Sequence, residues 1–493
     1  LILPTTLNRP FSKLCLTLSL ASTLISGCTL GPDFHRAPPP PVKRYTAETL
    51  PSHTTSAPAT AGKSQYFAKG QDIPAEWWKV FHSEPLNQLI KAALSSNPDL
   101  QAATAGLRIA QETALAQRSF YFPRADANFI STRQETAHTL TPIVASNSFF
   151  YTLITPQLTI SYIPDVFGSN RRQVESLEAQ VAAEVFQREA LALTISSNVV
   201  LAVIEEASLR AQIRATQNTI ALGKRQLKML REEHAVGEIG LEGVSAQEAL
   251  LAQLESTLPP LQKQLAQQHH AIAVLCGQFP SDKLFDKFEL KSLNLPGKLP
   301  LSLPSTLVQQ RPDIRAAEAL AHAASAQIGV AVAQRLPNIL LTATAGSDGL
   351  NLYTLFNSNT NFWALTANVA QPVFNAGLLR HRQRAAVAAY KQADAQYRSV
   401  VLSAFQDVAD TLKAIQYDAN NLQAAQAAVQ ASKKSLNIAQ QQLAAGAVGY
   451  LAVLSAEQAY QQSEINLVQS QANRFIDTVA LFQALGGGWW NHG

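Results

Sequence analysis

The sequence predicts a mainly α-helical chain with a small β part, built as two copies of one unit: helix, β-hairpin, long helix, hinge, helix. Three observations predict it. Asn97-Pro98-Asp99-Leu100 opens an Ala-rich run that stops at Phe122-Pro123, and Arg311-Pro312-Asp313-Ile314 opens another that stops at Leu336-Pro337; both prolines keep one offset (312 − 98 = 337 − 123 = 214). Behind each second proline lie two polar-apolar alternating segments and then a long Ala/Gln-rich stretch. Each copy then reaches a Gly-x-x-Gly hinge, Gly237 and Gly240 in the first and Gly446 and Gly449 in the second (446 − 237 = 449 − 240 = 209). Self-similarity at a fixed period marks a duplicated supersecondary unit.

Composition agrees. Only 15% of the 493 residues are charged and 7% aromatic, with one Met against abundant Ala and Gln, which suits long close-packed helices better than a set of compact cores. The net charge of +4 comes from scattered Lys and Arg with no basic stripe carrying aromatics, so no nucleic-acid partner is expected. Gly-rich phosphate loops, Ser-His-Asp arrangements and zinc spacings are missing from the sequence; no catalytic, cofactor or metal residue is assigned and no enzyme is expected. His269-His270 would point about 100° apart on a helix and lack a second ligand pair. His381, among Arg380, Arg382 and Arg384, reads as a basic helix start.

At the N-terminus, Arg9 and Lys13 precede an apolar stretch from Leu14 to Ile25, the layout of a secretory signal and too short to span a bilayer. It ends in Leu24-Ile25-Ser26-Gly27-Cys28, which resembles a bacterial lipobox: residues 1–27 are expected to be cleaved and Cys28 to carry lipid. Thr29, where Asp would signal retention at the inner membrane, favours the outer membrane. Cys15 leaves with the signal, and Cys276 sits among Ala273, Val274 and Leu275, so a buried inert thiol is expected and no disulfide framework.

The segment 28–75, Pro-, Thr- and Ser-rich with Pro38 to Pro41 in a row, reads as a lipid-anchored extended tether. The first repeat covers 76–278, a crossover of undetermined structure 279–310, the second repeat 311–488, and a short tail 489–493. Strands are expected near 125–132 and 150–162 and near 338–345 and 362–370. Alternation places Leu158, Ile160 and Tyr162 on one face, and Trp363, Leu365, Ala367 and Val369 opposite Ala364, Thr366 and Asn368. Soluble hairpins would alternate too. The export signal, with no later apolar run read as long enough for a transmembrane helix, turns the reading towards spanning strands. Such strands must close into a barrel, and four are too few when the smallest single-chain barrels use about eight, so several copies must each donate a share.

No proline interrupts Asn170 to Val236 or Asn375 to Ala445, and about 67 helical residues at about 1.5 Å each reach roughly 100 Å. Leu422, Ala425, Val429, Ser432, Leu436, Ala439 and Leu443 recur at spacings of three and four, a heptad seam. Val174, Leu177, Val181 and Val185 begin a similar stripe in the first copy.

The motifs then fall into one order: Gly31-Pro32-Asp33-Phe34, Trp77-Trp78-Lys79-Val80-Phe81, Asn97-Pro98-Asp99-Leu100, Arg311-Pro312-Asp313-Ile314-Arg315, Ile328-Gly329-Val330-Ala331 running to Leu336-Pro337, Gln371-Pro372-Val373-Phe374-Asn375-Ala376-Gly377, and Ala484-Leu485-Gly486-Gly487-Gly488-Trp489. In that order they resemble the outer membrane efflux proteins of the TolC superfamily, in the lipoprotein branch that serves resistance-nodulation-division pumps. The resemblance covers almost the whole chain. It implies a homotrimer in which each chain gives four strands to one twelve-stranded barrel, continued by a helical tunnel in the periplasm. It implies a passive exit duct for small molecules such as drugs, dyes or metal ions, with a periplasmic adaptor and an inner membrane pump as partners.

By the same resemblance the adaptor would dock on two helical tips: Val236, Gly237, Glu238, Ile239, Gly240 and Leu241 in the first copy, and Ala445, Gly446, Ala447, Val448, Gly449, Tyr450 and Leu451 in the second. Ala452 and Ser455 match the aperture positions where several relatives carry aspartates, which implies weaker cation selectivity here. Gln440, Gln441 and Gln442 replace the usual basic residue before the second tip. A type I secretion duct would share the fold; a lipid-anchored coiled-coil spacer without a pore would have no use for amphipathic strands. The transported substrate is not legible in these residues.

Overall fold

The structure, a computed structural model, describes residues 29–137, 139, 147–282, 288–355 and 357–491. The expected signal segment 1–27 and the lipidation residue Cys28 lie outside the described residues, as do 283–287 of the crossover and 492–493 of the tail. In chain order the elements are β1 (Tyr66–Lys69), α1 (Glu84–Ser96), α2 (Pro98–Arg118), β2 (Arg124–Glu135), β3 (Phe150–Tyr162), α3 (Ser169–Ala235), α4 (Leu241–Leu275), β4 (Lys298–Leu301), α5 (Pro304–Gln310), α6 (Pro312–Ala333), β5 (Asn338–Ser347), β6 (Asn361–Ala370), α7 (Leu378–Ala444) and α8 (Tyr450–Ala484). The duplication extends to helix length. Both α3 and α7 have 67 residues and both α4 and α8 have 35, with one offset at all four boundaries (378 − 169 = 444 − 235 = 450 − 241 = 484 − 275 = 209).

Contacts divide the chain into two compact units. One gathers the chain through Arg36, Leu107–Ala183 and Ala317–Tyr397. Its centre is a four-stranded antiparallel sheet in the order β2-β3-β5-β6, so the two copies of the repeat meet at the β3–β5 pairing and leave β2 and β6 as edges.

The other unit gathers Ala37–Gly106, Glu184–Ala316 and Arg398–Gly493. Its core forms around the Trp77–Phe81 3-10 turn. Trp77 stacks on Phe482 with ring centroids 5.4 Å apart, Phe81 meets Phe475, and Leu86, Leu89 and Ile90 of α1 are fully buried beside them. Ser83 caps α1 from its side chain, and Asn97 caps α2 by accepting from the backbone N–H groups of Asp99 and Leu100. That is the local reason for the Asn97-Pro98-Asp99 motif. The crossover holds β4, which pairs in parallel with β1 of the tether, and the short α5.

The α7 seam faces inward as its period requires. Leu422, Ala425, Leu436 and Ala439 are buried, Val429, Ser432 and Leu443 half-buried, and the residues beside them mostly exposed. Against α8 the seam builds a cluster of Leu436, Ala439, Val453 and Ala456, while Ser432 and Ser463 bond through their hydroxyls at 2.7 Å. Small residues let the two backbones approach closely. One sequence reading is corrected: α3 does contain a stretch long and apolar enough to cross a bilayer. More than half of that stretch is buried, and Val199, Val200, Val203 and Ile204 of this helix are fully buried, so its apolar character serves a core.

Candidate conduit and its tips

Register sorts the sheet into two unlike faces. Rows running across all four strands read Ala125, Ile160, Ala343, Leu365 and Ala127, Leu158, Ala345, Trp363 on one face. On the other face they read Arg124, Ser161, Thr342, Thr366 and Asp126, Thr159, Thr344, Ala364. Among the described residues the apolar face is left open, with Trp363 and Leu365 each 75% exposed. A soluble hairpin would turn such a face inward. Strands of 10 to 13 residues at about 3.3 Å each, tilted by about 45°, match a bilayer's hydrocarbon thickness of about 25–30 Å. Phe120 and Phe122 just before β2, and Phe374 just after β6, are also exposed, in the position of an interfacial aromatic girdle.

The Gly31-Pro32-Asp33-Phe34 motif is a strap fastened beside this sheet's helical roots. Arg172, 4% exposed, donates from Nε to the Leu30 carbonyl at 3.1 Å and from Nη2 to Asp33 at 2.7 Å, while Nη1 meets Glu175 at 2.7 Å. That guanidinium holds the Asp33 carboxyl below its ordinary pKa. Phe34 stacks on His322 at 4.5 Å, and Arg36 pairs with both carboxylate oxygens of Glu318. Gly31 needs its glycine twice over: its φ is +99°, and a Cβ there would lie 2.5 Å from the Cα of Gly329. Thr29 rests against Gly168, which precedes α3, so the strap begins close to where β3 gives way to that helix.

Both tips are built the same way. At the first, Gly237 takes φ +83°, its N–H donates to the His234 carbonyl and that of Glu238 to the Glu233 carbonyl. At the second, Gly446 takes φ +70°, its N–H donates to Leu443 and that of Ala447 to Gln442. These are Schellman-type endings, which favour glycine at the left-handed position. The second glycine of each pair does something else: Gly240 and Gly449, at φ −74° and −77°, precede the next helix in extended conformation. Only half of the hinge glycines therefore serve the reversal. Val236, Gly237, Glu238, Gly240, Leu241, Ala445, Gly446, Ala447, Gly449 and Leu451 are exposed, with Ile239, Val448 and Tyr450 half-buried; Ala452 and Ser455 are exposed on the first turn of α8. The Ser455 hydroxyl bonds back to the Leu451 carbonyl at 3.0 Å.

Behind the tips runs a polar network with no signal in the sequence. Tyr450 donates its hydroxyl to Gln247 at 2.8 Å, Gln247 donates to the Gly223 carbonyl at 3.1 Å, and Gln226 donates to Glu457. It joins α3 and α4 to α8 within a seam otherwise made of Leu227, Leu230, Val244, Leu251 and Leu454. Glu457 is buried, which raises its pKa against the opposing Gln226 hydrogen bond. Glu457 thus faces the neighbouring hairpin as a cross-link. Tyr450 and Gln247, and Gln226 and Glu457, lie more than two hundred positions apart, so no local pattern could announce their pairing. Cys276 is fully buried, and burial pushes its thiol up to about 11. His269 and His270 lie on α4, and among the described residues no cluster of three His, Cys, Asp or Glu could hold a metal ion.

Comparison with known proteins meets the same geometry. The family described as outer membrane efflux protein matches residues 89–278 and 303–487. The toluene efflux pump outer membrane protein TtgF of Pseudomonas putida is 30% identical over 479 residues, 96% of this chain and 97% of that protein. Among solved structures, the outer-membrane channel OprN superposes with a TM-score of 0.83 at 26% identity, covering 94% of this chain and all of that one. The outer membrane protein VceC of Vibrio cholerae gives 0.77 at 29% identity, covering 85% and 100%. A two-copy chain with this sheet and these tips, matched over both copies, belongs to the outer membrane efflux protein family.

Proposed function

We propose that this chain forms the outer membrane exit duct of a tripartite efflux system for small molecules, passive in itself and opened by its partners. The observation that carries the reading is the sheet: one apolar face, one polar face, and two edge strands with unpaired backbone groups. In a bilayer those groups must find partners, because an unsatisfied N–H or C=O costs several kcal/mol there. Three copies joined β6 to β2 give twelve strands with no edge left. The polar rows then line a lumen and the apolar rows meet lipid.

Lipid on Cys28 would hold the chain to the outer membrane, and the strap from Thr29 to Arg36, fastened on Arg172 and Gly329, would bring that residue to the sheet's helical end. The two tips, exposing Val236, Leu241 and Leu451, would receive the periplasmic adaptor that couples the duct to an inner membrane pump. Ala452 and Ser455 would line the closed aperture, without the charge of an aspartate ring. Planar bilayer recording of the purified oligomer tests the reading. Discrete conductance that appears or grows when the tips are loosened is expected, whereas an oligomer that never conducts would leave a pore-free coiled-coil spacer. Labelling with a radioactive fatty acid tests the anchor, and Cys28→Ala should abolish it.

A further inference from the structure

The segment 28–75, expected to run as an extended tether, helps to build a cavity. Residues 43–46, 48–53, 66, 67 and 69 line a space of about 410 Å³ with residues 301–304 and Leu412. The floor is apolar: Leu301 and Leu412 are buried, and Tyr45, half-buried, donates its hydroxyl to the Ser302 carbonyl at 3.0 Å and packs against Phe405. The rim is cationic. Lys43, Arg44 and Lys69 line it, and none has a carboxylate within ion-pair distance among the described residues. The one acid on the rim, Glu48, is already matched by Lys413 at 2.5 Å. Ser302, 4% exposed, is among the lining residues, and its buried hydroxyl has no hydrogen-bond partner among the described residues. A buried hydroxyl left unpaired is costly, and three unmatched cations around an apolar floor favour a ligand of opposite pattern.

We propose that this cavity binds a small organic anion with an aromatic or compact apolar body, its charge held by Arg44, Lys43 and Lys69 and its ring seated on Tyr45, Leu301 and Leu412. The volume lies within the range of ordinary small-molecule sites, about 300–1,000 Å³. Arg44 and the lysines supply charge-assisted bonds that a neutral compound of the same shape cannot receive. The site is separate from the sheet and from the tips and does not rest on the conduit reading.

The test uses the full-length protein in lipid nanodiscs, with anilinonaphthalene sulfonate as the probe and uncharged phenylnaphthylamine as its control. Fluorescence titration, with empty discs subtracted, is expected to show one saturable sulfonate site per chain. Binding should weaken by about tenfold for each of Lys43→Ala and Arg44→Ala, one charge-assisted contact each. Lys413→Ala, which frees Glu48 to compete for the rim cations, should weaken it as well while leaving the cavity walls intact. Uptake of both dyes equal to that of empty discs, a site that takes the neutral dye as well as the sulfonate, or sulfonate binding unchanged in the Lys43→Ala/Arg44→Ala/Lys69→Ala protein would overturn the proposal. So would a site shut by a neighbouring copy, seen as no saturable binding.

Discussion

The sheet and the Trp77 core handle apolar surface in opposite ways. Trp77 and Phe482 are each 1% exposed and stacked on one another, whereas Trp363 and Leu365, on a strand just as regular, are each 75% exposed. One region finishes its burial within the chain; the other holds its apolar rows in register and, among the described residues, leaves them exposed. A region that ordered and that uncovered is what the proposed assembly of several copies in lipid would cover.

The sharpest way to break this comparison is to charge the two faces in turn. Leu365→Arg puts a cation on the apolar row at a cost of about 2–4 kcal/mol per chain near a bilayer midplane, multiplied across an oligomer. Heat-resistant oligomer in the outer membrane fraction should be lost, while Thr366→Arg, one residue along on the polar face, should leave it intact. Equal tolerance of both would remove the bilayer from the account. The closed core responds differently: Trp77→Ala should cost about 3–5 kcal/mol by emptying the cavity under Phe482, read as a lower unfolding midpoint with the sheet's insertion retained.

A smaller effect is expected at the strap. Gly329→Val would drive a side chain into the Leu30 carbonyl, 2.6 Å from where its Cβ must sit, at a cost of about 1–3 kcal/mol. Faster tryptic cleavage at Arg36, now released from Glu318, is the readout; an unchanged digestion pattern would mean that the strap is not held there.

The helical unit also carries a pH dependence. Asp418 of α7 and Asp477 of α8 are half-buried neighbours; burial first, then the adjoining Asp418 carboxyl, raises Asp477 to about 7. Burial likewise depresses Arg474 beside them to about 10, with Asp418 opposing. A carboxyl raised on folding stabilises while protonated, so its contribution is full below the unfolded value of 3.8 and is lost as pH climbs to about 7. Asp477→Asn should flatten the unfolding midpoint across that window and raise it at pH 8. A profile matching the unsubstituted protein would show the pair is solvated. The smallest effect is expected at Ser455, the proposed aperture position. Ser455→Asp should increase cation preference in single-channel reversal potentials, and Ser455→Ala should scarcely change it, because the hydroxyl is already spent on the Leu451 carbonyl.

Much of this was legible in one dimension because it is periodic. The α7 heptad predicts which of its residues are buried, and the two-residue alternation of Trp363, Leu365, Ala367 and Val369 predicts a face. The expected strand near 125–132 proves longer, Arg124–Glu135, because β3 continues opposite it through Arg133 and Glu135, where alternation of apolar residues has already ended. The hinge glycines were visible as a pair, but only coordinates separate Gly237 and Gly446, which need a left-handed backbone, from Gly240 and Gly449, which do not.

By itself, then, the sequence determined the duplication, the element types and the faces, since those follow from spacings of two, three and four residues and a repeat offset that any folded state must respect. Tertiary structure alone decided which edge meets which. It decided that β3 pairs with β5, that Arg172 grips the strap, that Glu457 turns to Gln226 and that the tether encloses a cationic cavity. Each of these joins residues more than one hundred positions apart, and such pairings depend on how whole elements pack, which no local pattern encodes.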